Sequence, residues 1–125
     1  MEKVNFKFVK GDTYTRGFTI ENFELPILQV YFTVKEKSSD KNYVLQKILG
    51  SGIKQDSDNP NRYILIIDAD DTNNFKVNYD YVFDIQIVAD SIKKTIVAGN
   101  LTLEDWDITS KANEVELWLW TQKKI

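Results

Sequence analysis

The chain has 125 residues and a formal charge of −3, from 16 Lys+Arg against 19 Asp+Glu, and it contains neither cysteine nor histidine. Those two zeros remove disulfides, thiolate zinc sites, thiol nucleophiles, the usual catalytic triad and the commonest general base. The acidic balance, with no basic cluster beyond pairs such as Lys93-Lys94, argues against nucleic acid as a partner, and no apolar run approaches the roughly 20 residues that cross a bilayer.

The first residues, Met1-Glu2-Lys3-Val4-Asn5-Phe6-Lys7, lack the apolar centre of a signal peptide. Val4, Phe6 and Phe8 alternate with Asn5 and Lys7, which predicts a first strand. Gly11-Asp12-Thr13 supplies turn chemistry, and Phe18 and Ile20 mark a second strand. After Pro26, the residues Leu28, Val30, Phe32 and Val34 form the clearest one-faced strand. A loop over 38–42 leads to a short strand over 43–48. A turn at Gly50-Ser51-Gly52 then precedes a brief strand at 53–55. The polar run 56–61 is a loop. Tyr63 to Ile67 is apolar on both faces, which predicts a central strand. Asp70 to Phe75 reads as one capped turn, because Asp and Thr side chains accept bonds from free helix N–H groups. Tyr79, Tyr81, Phe83, Ile85 and Ile87 then alternate with polar or small residues. A last strand over 94–104 puts Thr95, Val97, Gly99, Leu101 and Leu103 on one face. Glycine inside such a strand marks a bulge or a close backbone approach.

Seven or eight short strands without a core-length helix predict an all-β, antiparallel sandwich over residues 1–109. Residues 110–125 form a C-terminal extension. There Val115, Leu117 and Leu119 alternate with Glu116, Trp118 and Trp120. A strand with two usable faces fits this pattern, and so does a short helix from Ala112, since the window is too brief for periodicity to decide. Valine and two tryptophans weigh for the strand. On an edge strand only one face meets its own core. Leu117, Trp118, Leu119 and Trp120 are therefore the candidate assembly surface.

The chemistry-bearing groupings are few. Asp68, Asp70 and Asp71 suggest a cation, but the run lacks the glycine and terminal glutamate of a calcium loop, so a capped turn is the plainer reading. Glu104, Asp105 and Asp107 surround Trp106. Two carboxylates held about 5–9.5 Å apart in a cleft would hydrolyse glycosides, and a small sandwich offers little room for that cleft. Trp106, Trp118, Trp120, Tyr31 and Tyr43 are the aromatics a sugar platform would use. Core and interface claim such residues more often. The five glycines form no phosphate loop, and no nucleophile–base pair stands out. The chain therefore reads as non-enzymatic, without cofactor or bound metal.

Four stretches in order carry a resemblance. They are Phe8-Val9-Lys10-Gly11-Asp12-Thr13 with Phe18-Thr19-Ile20, then Ile67-Asp68-Ala69-Asp70-Asp71-Thr72, then Tyr81-Val82-Phe83-Asp84-Ile85-Gln86-Ile87. Gly99-Asn100-Leu101-Thr102-Leu103 with Asp105-Trp106-Asp107-Ile108-Thr109 closes the series. This order resembles small structural proteins of tailed bacteriophages and prophages of low-GC Gram-positive bacteria. In particular it is similar to the N-terminal domain of siphophage upper baseplate proteins. The resemblance spans about residues 4–109, and each motif records a turn or a strand pairing.

It implies an immunoglobulin-like sandwich. The Asp71-Thr72 turn would cross between sheets and Tyr81 would bond back to the loop at that corner. Gly11, Asp12, Thr13, Asp84 and Gly99 would be further structural turn or corner positions, with Asp84 bonding strand ends or a neighbouring subunit. It also implies assembly into a homo-oligomer, or with other tail proteins, and a location in the virion after assembly in the bacterial cytoplasm. The chain departs from the full baseplate proteins in being short and in adding the tryptophan-rich extension. The second reading is a carbohydrate-binding or host-recognition module, motivated by the aromatics.

Overall fold

The computed structural model describes residues 1–21 and 23–109. The expectations for Leu117, Trp118, Leu119 and Trp120 lie outside the described residues. Nine strands follow one another: β1 (Glu2–Lys3), β2 (Phe6–Val9), β3 (Tyr14–Thr19), β4 (Gln29–Lys35), β5 (Leu45–Leu49), β6 (Gly52–Gln55), β7 (Arg62–Ile67), β8 (Tyr81–Ala89) and β9 (Ile92–Glu104). A single 3-10 turn over Ala69–Thr72 separates β7 from β8. The hydrogen-bonded path runs β1-β9-β8-β4-β5-β6-β7-β3, and β2 also pairs with β9. Strands from both ends of this path, including Phe6 of β2, Phe32 of β4, Leu65 of β7 and Ile85 of β8, share one core cluster. The sheet therefore curls onto itself as an all-β sandwich.

Alternation does most of this work. On β4, Val30, Phe32 and Val34 are fully buried while Gln29, Tyr31, Thr33 and Lys35 face outward. On β8, Tyr81, Phe83, Ile85, Ile87 and Ala89 point inward. Burying each large apolar side chain stabilises the fold by about 1.5–3 kcal/mol. A one-residue slip would turn the whole set to solvent, so the register is firmly set.

Four expectations need correction. Strand pairing is not antiparallel throughout: β1 and β2 run parallel to β9, and β5 meets β6 in a short parallel bridge. The first strand is two, because the chain at Val4 crosses Gly99. A Cβ on Gly99 would lie 1.6 Å from the Val4 carbonyl oxygen, so only glycine admits that crossing. Strand β7 has a neighbour on each side but is one place from the end of the path, not central. Finally, Thr95 does not share the face of Val97. Ile85 pairs with Val97 and Gln86 with Thr95, so Ile96 is an extra residue in a bulge and Thr95 turns outward beside Gln86.

Candidate functional site

All four sequence stretches send residues to one pole of the sandwich. Gly11, at φ +95°, turns the chain from β2 into β3, a conformation that favours glycine. Its N–H donates to Thr72 Oγ1 at 2.9 Å, 61 positions away. The Thr72 hydroxyl donates in turn to Ala69 O at 2.8 Å, and Thr72 is 1% exposed. Asp68 and Asp71 form a capping box around the 3-10 turn, with the Asp68 N–H donating to Asp71 Oδ2 at 2.8 Å. Lys47 reaches Asp71 from β5 at 2.7 Å. Lys10 Nζ donates to Phe75 O at 2.8 Å.

Tyr81 completes this pole. Its hydroxyl accepts from the Lys76 N–H at 2.7 Å, and its buried ring meets Phe75 and Tyr79 edge-on at 4.7 Å each. A buried hydroxyl bonded to loop backbone ties β8 to the segment before it. Asp12 closes the neighbouring turn through its own N–H to Val9 O at 3.1 Å, while the Asp12 and Thr13 side chains are exposed. The Asp107 carboxylate packs against Gly11, which brings the end of the described chain to the same pole.

Two of the grouped carboxylates are taken up by local partners. Among the described residues no three Asp or Glu side chains converge as a metal site. Asp71 is held by Lys47, and Glu104 accepts from Trp106 Nε1 at 3.3 Å. The aromatics divide. Ring contacts run through the core and its rim, as between Phe6 and Phe83 at 4.4 Å and Phe8 and Tyr14 at 4.3 Å. Tyr31 is half-buried on the outer face of β4, and Tyr43 is exposed. Trp106 is 67% exposed and Ile108 is 73% exposed, so two large apolar side chains stand in solvent just before residue 110.

Asp84 is not at a strand end or corner, and neither is Gly99. Asp84 lies mid-strand in β8, between Thr33 of β4 and Ala98 of β9. Outward-facing Thr33, Lys35, Ser38, Val82 and Thr95 surround it in an open cavity of about 340 Å³. Burial pushes the Asp84 carboxyl above its ordinary value, against the bond from Gln86 and the nearby Lys35 charge. Alternation placed Asp84 on the outer face, but the depth of that hollow depends on how the three strands curl. The Lys47–Asp71 and Lys10–Phe75 contacts were equally hidden, because each joins residues far apart in the chain.

No protein-family model matches the chain, and no curated protein matches it. Among solved structures it is similar to the extracellular domain of the voltage-gated sodium channel beta4 subunit, a domain described as forming parallel homodimers in cell–cell adhesion. The TM-score is 0.50 at 10% identity, over 85% of this chain and 94% of that one. At that identity the likeness concerns the fold, an immunoglobulin-like β-sandwich.

Proposed function

We propose that the chain is a non-enzymatic building block that works through protein–protein contacts, as a tail or baseplate component of a phage or prophage virion. The observation that carries the assembly part is the exposed Trp106 and Ile108 immediately before the segment containing Trp118 and Trp120. Large apolar side chains in solvent, continued by more of the same in sequence, are what a partner surface covers. The phage part rests on the four ordered stretches. Gly11, Thr72 and Tyr81, which those stretches contribute, are bonded scaffold positions, in keeping with a role as a rigid module. The homodimers formed by the sodium channel domain are a precedent for an immunoglobulin-like sandwich that associates with its own kind.

Light scattering on the purified chain tests the assembly part. A stable oligomer is expected, reduced to monomer by removing residues 112–125 or by W106A/I108A. A strict monomer at high micromolar concentration overturns it. Mass spectrometry of particles induced from the encoding bacterium tests the virion part, and absence from purified particles refutes that placement. Exposed Trp106 also suits sugar stacking, so glycan binding abolished by W106A, without self-association, would favour the recognition reading.

A further inference from the structure

Among the described residues the curled sheet is not closed. Strand β3 hydrogen-bonds to β7 on one side and ends the path on the other, while β1 and β2 lie at the opposite margin beside β9. The two margins face each other across a seam. Near the Gly11 turn, rings shut it: Tyr14 stacks on Phe8 at 4.3 Å and lies 5.7 Å from Phe6. Further along β3 the seam opens into a cavity of about 150 Å³, lined by Glu2, Val4, Arg16, Phe18, Leu65 and Val97 among others. A strand margin beside an opening that is part polar and part apolar is a template for another strand of mixed character.

Charge restricts which strand it takes. The chain has only two arginines, and both are here. Arg16 of β3 sits 5.4 Å over the Phe6 ring, on the inward face of the edge. Arg62, in register with Thr19, lies on the outer face instead, where it holds Asp56 at 3.1 Å and its guanidinium fills the space beside Gly17, so the charge on the inward face is that of Arg16. An inward-facing charge on an edge strand repels a purely apolar newcomer. An acidic strand removes that obstacle.

Residues 110–125 supply such a sequence. Their only acids are Glu114 and Glu116, two positions apart, and Val115, Leu117 and Leu119 alternate with them and with the tryptophans. As a strand, this segment has the acids on one face and an aliphatic stripe on the other. The segment begins at the Gly11 pole, where Asp107 packs on Gly11. The opening lies toward the Thr19 end of β3, up to ~17 Å along the strand, beyond the part shut by Tyr14, Phe8 and Phe6. A neighbour whose Gly11 pole faced the Thr19 end of β3 would deliver its segment straight to the opening. Sixteen residues, 110 to 125, span at most about 55 Å when extended, which suffices to leave one copy and lie along the next.

We propose that residues 112–120 of one copy add as a strand to β3 of a second copy, with the face that carries Glu114 and Glu116 set against Arg16. The proposal rests on the assembly reading and names its acceptor. The contact is heterologous, so repetition builds a ring or a filament.

The absence of native cysteine makes the test direct. Full-length Thr15→Cys protein is mixed with full-length Asn113→Cys, Val115→Cys or Trp118→Cys protein, oxidised and run on non-reducing gels. A disulfide requires Cα atoms within about 7 Å, so it reports adjacency. A cross-chain dimer is expected for at least one pair, and none when the partner cysteine is moved to Thr33 on the outer face. R16E should cut the yield at least tenfold, with E114R/E116R in the other copy restoring it. A thermal melt confirms that R16E is folded. Three results overturn the proposal: no cross-link at any position, a cross-link confined to single chains of a T15C/V115C protein, or a yield indifferent to R16E. A chain that self-associates by light scattering but fails this test loses the acceptor and keeps the assembly reading. A monomeric chain loses both.

Discussion

The Thr72 pole and the β3 seam are built from the same strands and solve opposite problems. At the pole, the donors of Gly11 and Lys76 find oxygens on Thr72 and Tyr81, inside a ring of packed aromatics. At the seam, the margin of β3 ends the ladder among the described residues, and beyond the stack of Tyr14 on Phe8 a guanidinium lies over the Phe6 ring across the gap. Bonded turns fix a fold and leave nothing for a partner, whereas an edge left open at modest cost is available for one. Substitutions should therefore be expensive wherever the backbone is locked and cheap along the seam.

The largest effect is expected at the Val4–Gly99 crossing. Gly99→Ala forces a methyl group into the Val4 carbonyl, and the neighbour is backbone, which yields poorly. A loss of about 3 kcal/mol or more is expected in urea unfolding, the scale of overpacking combined with a lost backbone contact. A loss below about 1 kcal/mol would mean that the β1–β9 pairing re-forms easily, and the locked half of the comparison would fail there.

Next comes Thr72→Ala, which leaves the Gly11 N–H and the Ala69 carbonyl without the hydroxyl in a buried site. About 2 kcal/mol is expected, with Thr72→Ser recovering most of it. Tyr81→Phe removes one acceptor from the Lys76 N–H and should cost about 1–2 kcal/mol. Thr15→Ala on the seam should stay within about 0.5 kcal/mol, read on the same denaturant curves. Equal losses at Thr72 and Thr15 would erase the distinction between pole and seam.

How much of this was legible follows the same division. The period-two patterns gave β4, β8 and most of β9, because one buried face imposes alternation. The turn at Gly11, the capped turn before β8 and the Tyr81 corner were legible because each needs a particular side chain. The Ile96 bulge was not, since a bulge shifts the face without changing the residue types around it. Nor was the break at Val4, where the determinant is a glycine 95 positions away. The seam left no motif: being open demands nothing of sequence except that Arg16 interrupt an otherwise apolar inward face. At the candidate surface, the sequence marked Trp118 and Trp120 for assembly and Trp106 only for a sugar platform, and Ile108 carried no signal, because strand β9 ends before it.

The smallest effect concerns pH, and it separates two aspartates. Asp56 is partly buried, and its carboxyl is lowered by the Asp58 N–H and then by Arg62. Its contribution is present above its ordinary value and lost as pH falls through the lowered folded value. Asp84 has the opposite sign. Burial raises its folded value, so above that value both states are ionised and the folded one carries a poorly solvated charge. As pH falls through the raised value toward about 3.9, the folded state gains a proton before the unfolded state does, and stability rises on this account. Asp84→Asn should therefore stabilise slightly at pH 7 and flatten the stability profile between the raised value and pH 4. Thermal midpoints of the two proteins from pH 7 to pH 4 measure it. A midpoint difference that does not shrink as the pH falls would mean that solvent in the open hollow screens the charge, and that the outer face there is ordinary surface.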